Sequence, residues 1–398
     1  MTKVLGVDIC RSSIVCCLLT HAPTDARESF IDTEFYTFQA NAAGLKAAIA
    51  LSPDVAVMEP TGVNYQRLWG SKLAEAGVEV RLVSNNALPA YRKSLDLPDK
   101  DDEADALALA CYYYAFADSP RRWLQQRDQE LARMRDLCLR LAHINRVQSP
   151  IINRIRQDLA WQFPEVANRQ INRLLFKPAP ILWRWIAGRA KSKKYDREYA
   201  ATVGSGITQE TQFAAAMLSD LGEQESLLEM ELAAIVRTSE RFSVYREVFD
   251  KFGFGLRVSG MILSQIYPFE NFLNDDGQPI IAVRKGRNSG KPTRRYLSER
   301  RFKKSLGVAP TREWSGQDNR TMQKAGSGLC RTALWQWTFT RIEVARNRPK
   351  NTIGVELGRI MDGYKVAKMP ARKLRMKVAA KAVEMLFAEL CEAYNKQR

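Results

Sequence analysis

The chain has 398 residues, 45% of them hydrophobic, enough for two globular units and a connector with a buried core in each unit. It carries 61 Lys and Arg against 44 Asp and Glu, and the formal charge of +17 points to a polyanionic partner, nucleic acid first and an anionic membrane surface second. No apolar run approaches the roughly 20 residues of a membrane span, and two histidines with no C-x-x-C pair among seven cysteines disfavour zinc sites, histidine-based nucleophiles and disulfide scaffolds.

The N-terminus, MTKVLGVDIC, lacks the apolar stretch and cleavage signal of a secretory peptide, which predicts a cytoplasmic protein whose cysteines are mostly buried free thiols. Residues 3 to 39 read as three strands, VLGVDI, SIVCCLL and SFIDTEFYTF. A helix follows from 41, then a buried strand (VAVME), an amphipathic helix (YQRLWGSKLAEAG) and a second buried strand (VEVRLV). After a loop holding Pro89 and Pro98, DKDDEADALALACYYYAFA opens with acids and continues apolar, as a helix N-terminus does. The order βββαβαβα predicts an α/β domain over 1–120 with the element order of the ribonuclease-H-like fold.

Residues 121–250 read as a helical, coiled-coil-like connector or dimerisation arm. Its long helices span 124 to about 160 and 208 to about 250, around an irregular Trp- and Lys-rich insertion at 160–205. A mostly helical C-terminal domain is expected over 251–398, with helices at 327–346 and 371–394. Its FGFGLRVSGMILSQI stretch resembles a helix-hairpin-helix, whose amides hold phosphate, although the glycines also fit a plain tight turn. Residues 284–304 hold ten Lys or Arg against the single acid Glu299. Such a block is commonly a solvated flexible segment, but in so basic a chain it predicts a phosphate-tracking surface through Lys285, Arg287, Arg294, Arg295, Arg301 and Lys304. Tyr296 and Phe302 fit either stacking on bases or core packing.

Chemistry must rest mainly on carboxylates, hydroxyls and basic groups. Asp8 sits in an apolar strand, where an ionised carboxylate costs several kcal/mol unless paired or metal-bound. Glu59 ends another such strand, at the C-terminal edge where open α/β sheets place their sites. Asp102 and Asp105 are three apart at a helix start and share a face. Each acid alone fits a structural role as turn cap, lysine partner or solvated helix start. Together they predict an all-oxygen site for Mg²⁺ or Mn²⁺ that clamps a scissile phosphate. Spacing does not choose among Asp99, Asp101 and Asp102 as the inward acid.

The segments GVDIC, MEPTGVNYQRLW and KDDEADALALA resemble the insertion-sequence transposases with an Asp-Glu-Asp-Asp site, insertion-sequence family one hundred and ten, which also contains the Piv-type DNA invertases. The family's K-x-D-x-x-D-A, laid on Lys100 to Ala106, selects Asp102 and Asp105. The sequence departs from the pattern after Asp8, where ICR stands in place of a small residue and Lys. The stretch LGVAPTREWSGQDNRTMQKAGSGLCRTALWQW is similar to the family's C-terminal motif and matches Ser315 to its nucleophilic serine, with Trp314 where a serine pair is common. Arg320, Lys324 and Arg331 are then the groups expected to stabilise phosphate charge. Ser259, Ser289 and Ser327 also neighbour glycines, and Ser315 with Gly316 fits a plain turn.

The resemblance implies a bacterial, cytoplasmic recombinase that uses Mg²⁺, forms a transient phosphoserine link and acts on donor and target DNA. It further implies a homo-oligomer, dimer or tetramer, whose protomers share sites, and a structured non-coding bridge RNA as guide. A Piv-like invertase without a guide, a RuvC-like Holliday-junction endonuclease and a non-catalytic nucleic-acid scaffold are the alternatives.

Overall fold

The computed structural model describes residues 2–61, 64–97, 101–124, 128–286, 290–309, 311–315, 319–323 and 325–397, without side chains at 311–315, 319–323 and 397. The chain divides into two compact units, Met1–Arg127 and Asp128–Arg398.

In the first unit the order is β1 (Val4–Ile9), β2 (Ser13–Leu19), α1 (Ala26–Asp32), β3 (Phe35–Gln39), α2 (Ala42–Ala50) and β4 (Val55–Met58). It continues with α3 (Tyr65–Glu75), β5 (Glu79–Val83), α4 (Leu88–Ser94), α5 (Asp102–Phe116) and β6 (Trp123–Leu124). The sheet order is β3-β2-β1-β4-β5-β6. β1 to β3 form an antiparallel meander, while β1, β4 and β5 run parallel, as the helices between them require. This mixed sheet fits a ribonuclease-H-like domain.

Side-chain alternation gives the sheet two apolar faces. Leu5, Val7, Ile9, Ala56 and Met58 pack with Trp69 and Leu73 of α3 on one face. Val4, Val55, Val57 and Val83 pack under α4 and α5 on the other. Two sequence expectations need correction here. Residues 29–32, read as part of the third strand, belong to α1, because Asp25 caps a helix by accepting from the amides of Arg27 and Glu28. The loop expected around Pro89 contains α4, in which that proline occupies a first-turn position where its missing N–H costs nothing.

The second unit is mostly helical. It contains α6 (Gln129–Gln162), α7 (Pro164–Ala167), α8 (Ile181–Ile186), α9 (Lys193–Ala200), α10 (Gln209–Thr238), α11 (Ser243–Phe252) and α12 (Leu256–Ile266). Then come the strands β7 (Ile281–Lys285) and β8 (Pro292–Tyr296), α13 (Leu297–Ser305), and the strands β9 (Thr311–Ser315) and β10 (Asn319–Gln323). Helices α14 (Gly328–Trp337), α15 (Thr352–Val366) and α16 (Ala371–Gln397) close the chain. One apolar core joins Leu131 to Leu141 of α6 and Leu232 of α10 to α11, α12 and the C-terminal helices. A second, at Ile155, Leu159, Phe163, Trp183, Tyr195 and Leu218, is built partly from the insertion expected to be irregular, which instead forms short helices around its own tryptophan.

Gly253 ends α11 in the left-handed conformation (φ 62°) and α12 begins three residues later, so the FGFG segment makes a tight helix-to-helix turn. Phe302 is fully buried against Phe269, Phe272 and Phe387, which removes it as a base-stacking residue. Tyr296 is half exposed. Among the described residues no helix is long and apolar enough to cross a membrane.

Candidate active site

The sheet edge is organised by β1. Asp8 follows Val4 and Gly6 on the face that α5 covers, and Gly6 lacks the side chain that would hold the helix away. A Cβ at Gly6 would stand 2.0 Å from the Ala106 carbonyl oxygen and 2.7 Å from the Ala110 nitrogen. This contact lets the first turn of α5 reach Asp8. Asp101 caps that helix, its carboxylate accepting from the Ala104 amide at 2.6 Å, so Asp102 is the residue left to turn toward β1. The ambiguity among the acids is thereby reduced, with Asp99 outside the described residues.

Asp8, Cys10 and Asp102 form one cluster, their ligand atoms all within 4.8 Å of one another. The Cys10 thiol donates to Asp102 Oδ2 at 3.5 Å. Burial, then the charges of Asp102 and Asp105 and a hydrogen bond shared with Asp102, push the Asp8 carboxyl up to about 7, opposed by the Ile9 amide. A partly buried acid held among other carboxylates is a site that a cation relieves, and the donor set fits a small divalent ion.

Glu59 stands one residue beyond Met58, whose partner on β1 is Val7, so the parallel register brings Asp8 and Glu59 level at neighbouring strand ends. Its carboxylate is not one of the three clustered groups. Asp105 is 8% exposed and pairs with Arg92 of α4 at 3.3 Å, itself 7% exposed. Sequence reasoning missed both Arg92 and Cys10. Arg92 lay in the segment read as a loop, whereas Cys10 carried a readable signal, being two residues from Asp8 and hence on the same face.

In the second unit, β7 and β8 form an exposed antiparallel hairpin. Its register puts Lys285 and Arg294 on one face with the exposed Ile281, Val283 and Tyr296, and puts Arg284 and Arg295 on the other. Arg301 and Lys304 of α13 are exposed, and Arg301 also donates to the Phe272 carbonyl at 3.3 Å. Arg331 is half-buried and donates to the carbonyls of Gly307 and Ala325, both at 3.2 Å, which gives it a structural task. Arg287 and Lys324 lie outside the described residues, and Arg320 is described by its backbone in β10.

Ser315 ends β9 and pairs with Asn319, the first residue of β10. Two competing serines are occupied elsewhere. Ser259 is buried in α12, and Ser327 caps α14 by accepting from the Cys330 amide at 3.2 Å. Ser289 lies outside the described residues.

Two family models match these regions: the IS110-type DEDD transposase over residues 5–164 and the transposase of the IS116/IS110/IS902 family over 288–352, together more than half of the chain. The chain belongs to the IS110 family of transposases. DNA is therefore the substrate of this transposase, and cutting and rejoining DNA is its chemistry. The first match holds the carboxylate cluster and the second holds β8, α13 and Ser315. No curated protein matches the chain.

Proposed function

We propose that this transposase cuts and rejoins DNA at a divalent-metal site formed by Asp8, Glu59, Asp102 and Asp105, with Ser315 as nucleophile. The observation that carries the reading is the packing of α5 on Gly6, which gathers Asp8 and Asp102 at the end of β1, with Glu59 one residue past the end of the neighbouring β4. Bound Mg²⁺ or Mn²⁺ would supply charge stabilisation to the scissile phosphate. Ser315 Oγ forms the new bond to phosphorus while a deoxyribose oxygen leaves and takes up a proton, and the serine proton passes to solvent. Reversal onto a new strand end completes the exchange.

Ser315 ends β9, whereas Ser259 is buried and Ser327 is used as a cap, and this supports it over those competitors. The exposed cations of β7, β8 and α13 fit a nucleic-acid backbone, donor and target DNA as well as a structured guide RNA. With the acids on one unit and the serine on the other, a homo-oligomer sharing sites between protomers agrees with the reading.

The test is a denaturing gel of wild type and Ser315→Ala with DNA, Mg²⁺ and any co-purifying RNA. A protein–DNA adduct in wild type that vanishes in the variant is expected. An adduct that persists in Ser315→Ala refutes the nucleophile, and recombination without RNA refutes the guide.

A further inference from the structure

The cysteine beside Asp8 has no packing role to explain it. Cys16, Cys17, Cys111, Cys138 and Cys330 are buried in apolar clusters, whereas Cys10 is half-buried and belongs to none of the clusters among the described residues. It stands just past β1, where its amide donates to the Ser13 carbonyl at 2.9 Å and fixes the turn into β2. That turn leaves its sulfur 3.5 Å from Asp102 Oδ2.

We propose that Cys10 is a further protein ligand of the carboxylate site, engaged by thiophilic divalent cations such as Zn²⁺ and Cd²⁺, so that these ions compete with Mg²⁺ for the same place. The inference rests on the reading of Asp8 and Asp102 as metal ligands. Zinc–sulfur bonds of about 2.3 Å and zinc–oxygen bonds of about 2.1 Å at tetrahedral angles put ligand atoms roughly 3.6 Å apart, close to the observed sulfur–oxygen separation. Hard Mg²⁺ takes oxygen ligands and leaves the thiol protonated. A soft ion takes the thiolate, and the S–H proton passes to solvent as the sulfur–metal bond forms. With such an ion bound, sulfur takes a position that a phosphate oxygen would otherwise enter, and the three clustered groups leave a tetrahedral ion one open position in place of the several that Mg²⁺ keeps. Zn²⁺ therefore inhibits the transposase while Mg²⁺ supports it.

The test is a Cd²⁺ titration of the metal-free full chain, followed by the ultraviolet sulfur-to-cadmium charge-transfer band, with Mn²⁺ binding followed separately by electron paramagnetic resonance. Wild type is expected to give a saturable band that excess Mg²⁺ diminishes. Cys10→Ser should abolish the band and keep Mn²⁺ binding, and Cys391→Ser should keep both. Asp102→Asn should weaken Cd²⁺ at least about tenfold, as loss of even an outer-shell partner does. Mn²⁺ binding with a band that survives Cys10→Ser overturns the sulfur ligand alone. Wild type that binds neither ion overturns the carboxylate site and this inference with it.

Discussion

Gly6 of β1 lies so close under α5 that a Cβ on it would come within 2.0 Å of the Ala106 carbonyl oxygen. Neither partner in that clash is a flexible side-chain end, so Gly6→Ala must displace a helix or a strand. Overpacking of this kind costs about 3 kcal/mol, and the displacement also moves Asp102 from Asp8. Gly363→Ala in α15 is the matched control, because nothing lies within 4 Å of its Cβ; removing a helical glycine there should stabilise by about 0.5–1 kcal/mol. Urea unfolding of both variants and a strand-cleavage assay measure the contrast, and equal effects would dismiss the packing argument.

The Arg92–Asp105 pair leads to a different prediction. Both side chains are almost fully buried, so Arg92→Leu strands a carboxylate without this guanidinium, a loss of about 3–5 kcal/mol for a broken buried pair. Arg92→Leu combined with Asp105→Asn should recover most of that stability, since no charge is left to compensate. If Asp105 serves the metal, the double variant stays defective in Mn²⁺ binding although it is stable. Thermal melts beside Mn²⁺ titrations separate the two effects.

Part of the candidate site was legible in the sequence, because an acid inside an apolar strand is costly and announces itself, as Asp8 does in β1, which the structure places beside Asp102. The parallel strands were equally readable, since strand and helix alternate between Val55 and Val83. What the sequence did not carry is proximity between segments. Arg92 meets Asp105 because α4 and α5 lie on the same face of the sheet, a relation invisible in a stretch read as a loop around Pro89. Phe302 was ambiguous because an aromatic within a basic run has the same composition whether it stacks on bases or, as here, on Phe269 and Phe387.

The pH dependence of the metal-free protein follows from Asp8. Its folded carboxyl titrates at about 7 against an ordinary 3.8, so between these values the folded chain holds a proton that the unfolded chain has lost. The stability from this group is complete below pH 3.8 and is lost as pH rises through about 7. The difference in melting temperature between wild type and Asp8→Asn should therefore move against wild type from about pH 4 to 7. Mg²⁺ should reverse that trend, because the bound cation favours the ionised form. A pH-independent difference would show that Asp8 is not held among uncompensated charges.

Arg257, in the first turn of α12, tests whether the tight helix-to-helix turn binds phosphate or only builds the fold. Its guanidinium bonds to Glu225 and Glu229 of α10, which are 3% and 1% exposed, and Arg173 completes a four-charge network. Glu229 also accepts from the Phe176 amide at 2.9 Å, so the network ties the insertion, α10 and α12 together. Two buried carboxylates with half their cations removed are unstable, and Arg257→Met should cost about 3–5 kcal/mol. Replacing Glu229 by Gln in the same chain should return part of it. If the arginine is structural, DNA affinity per folded molecule stays level and the slope of log affinity against log salt is unchanged. A slope reduced by about one unit would instead make Arg257 a phosphate contact.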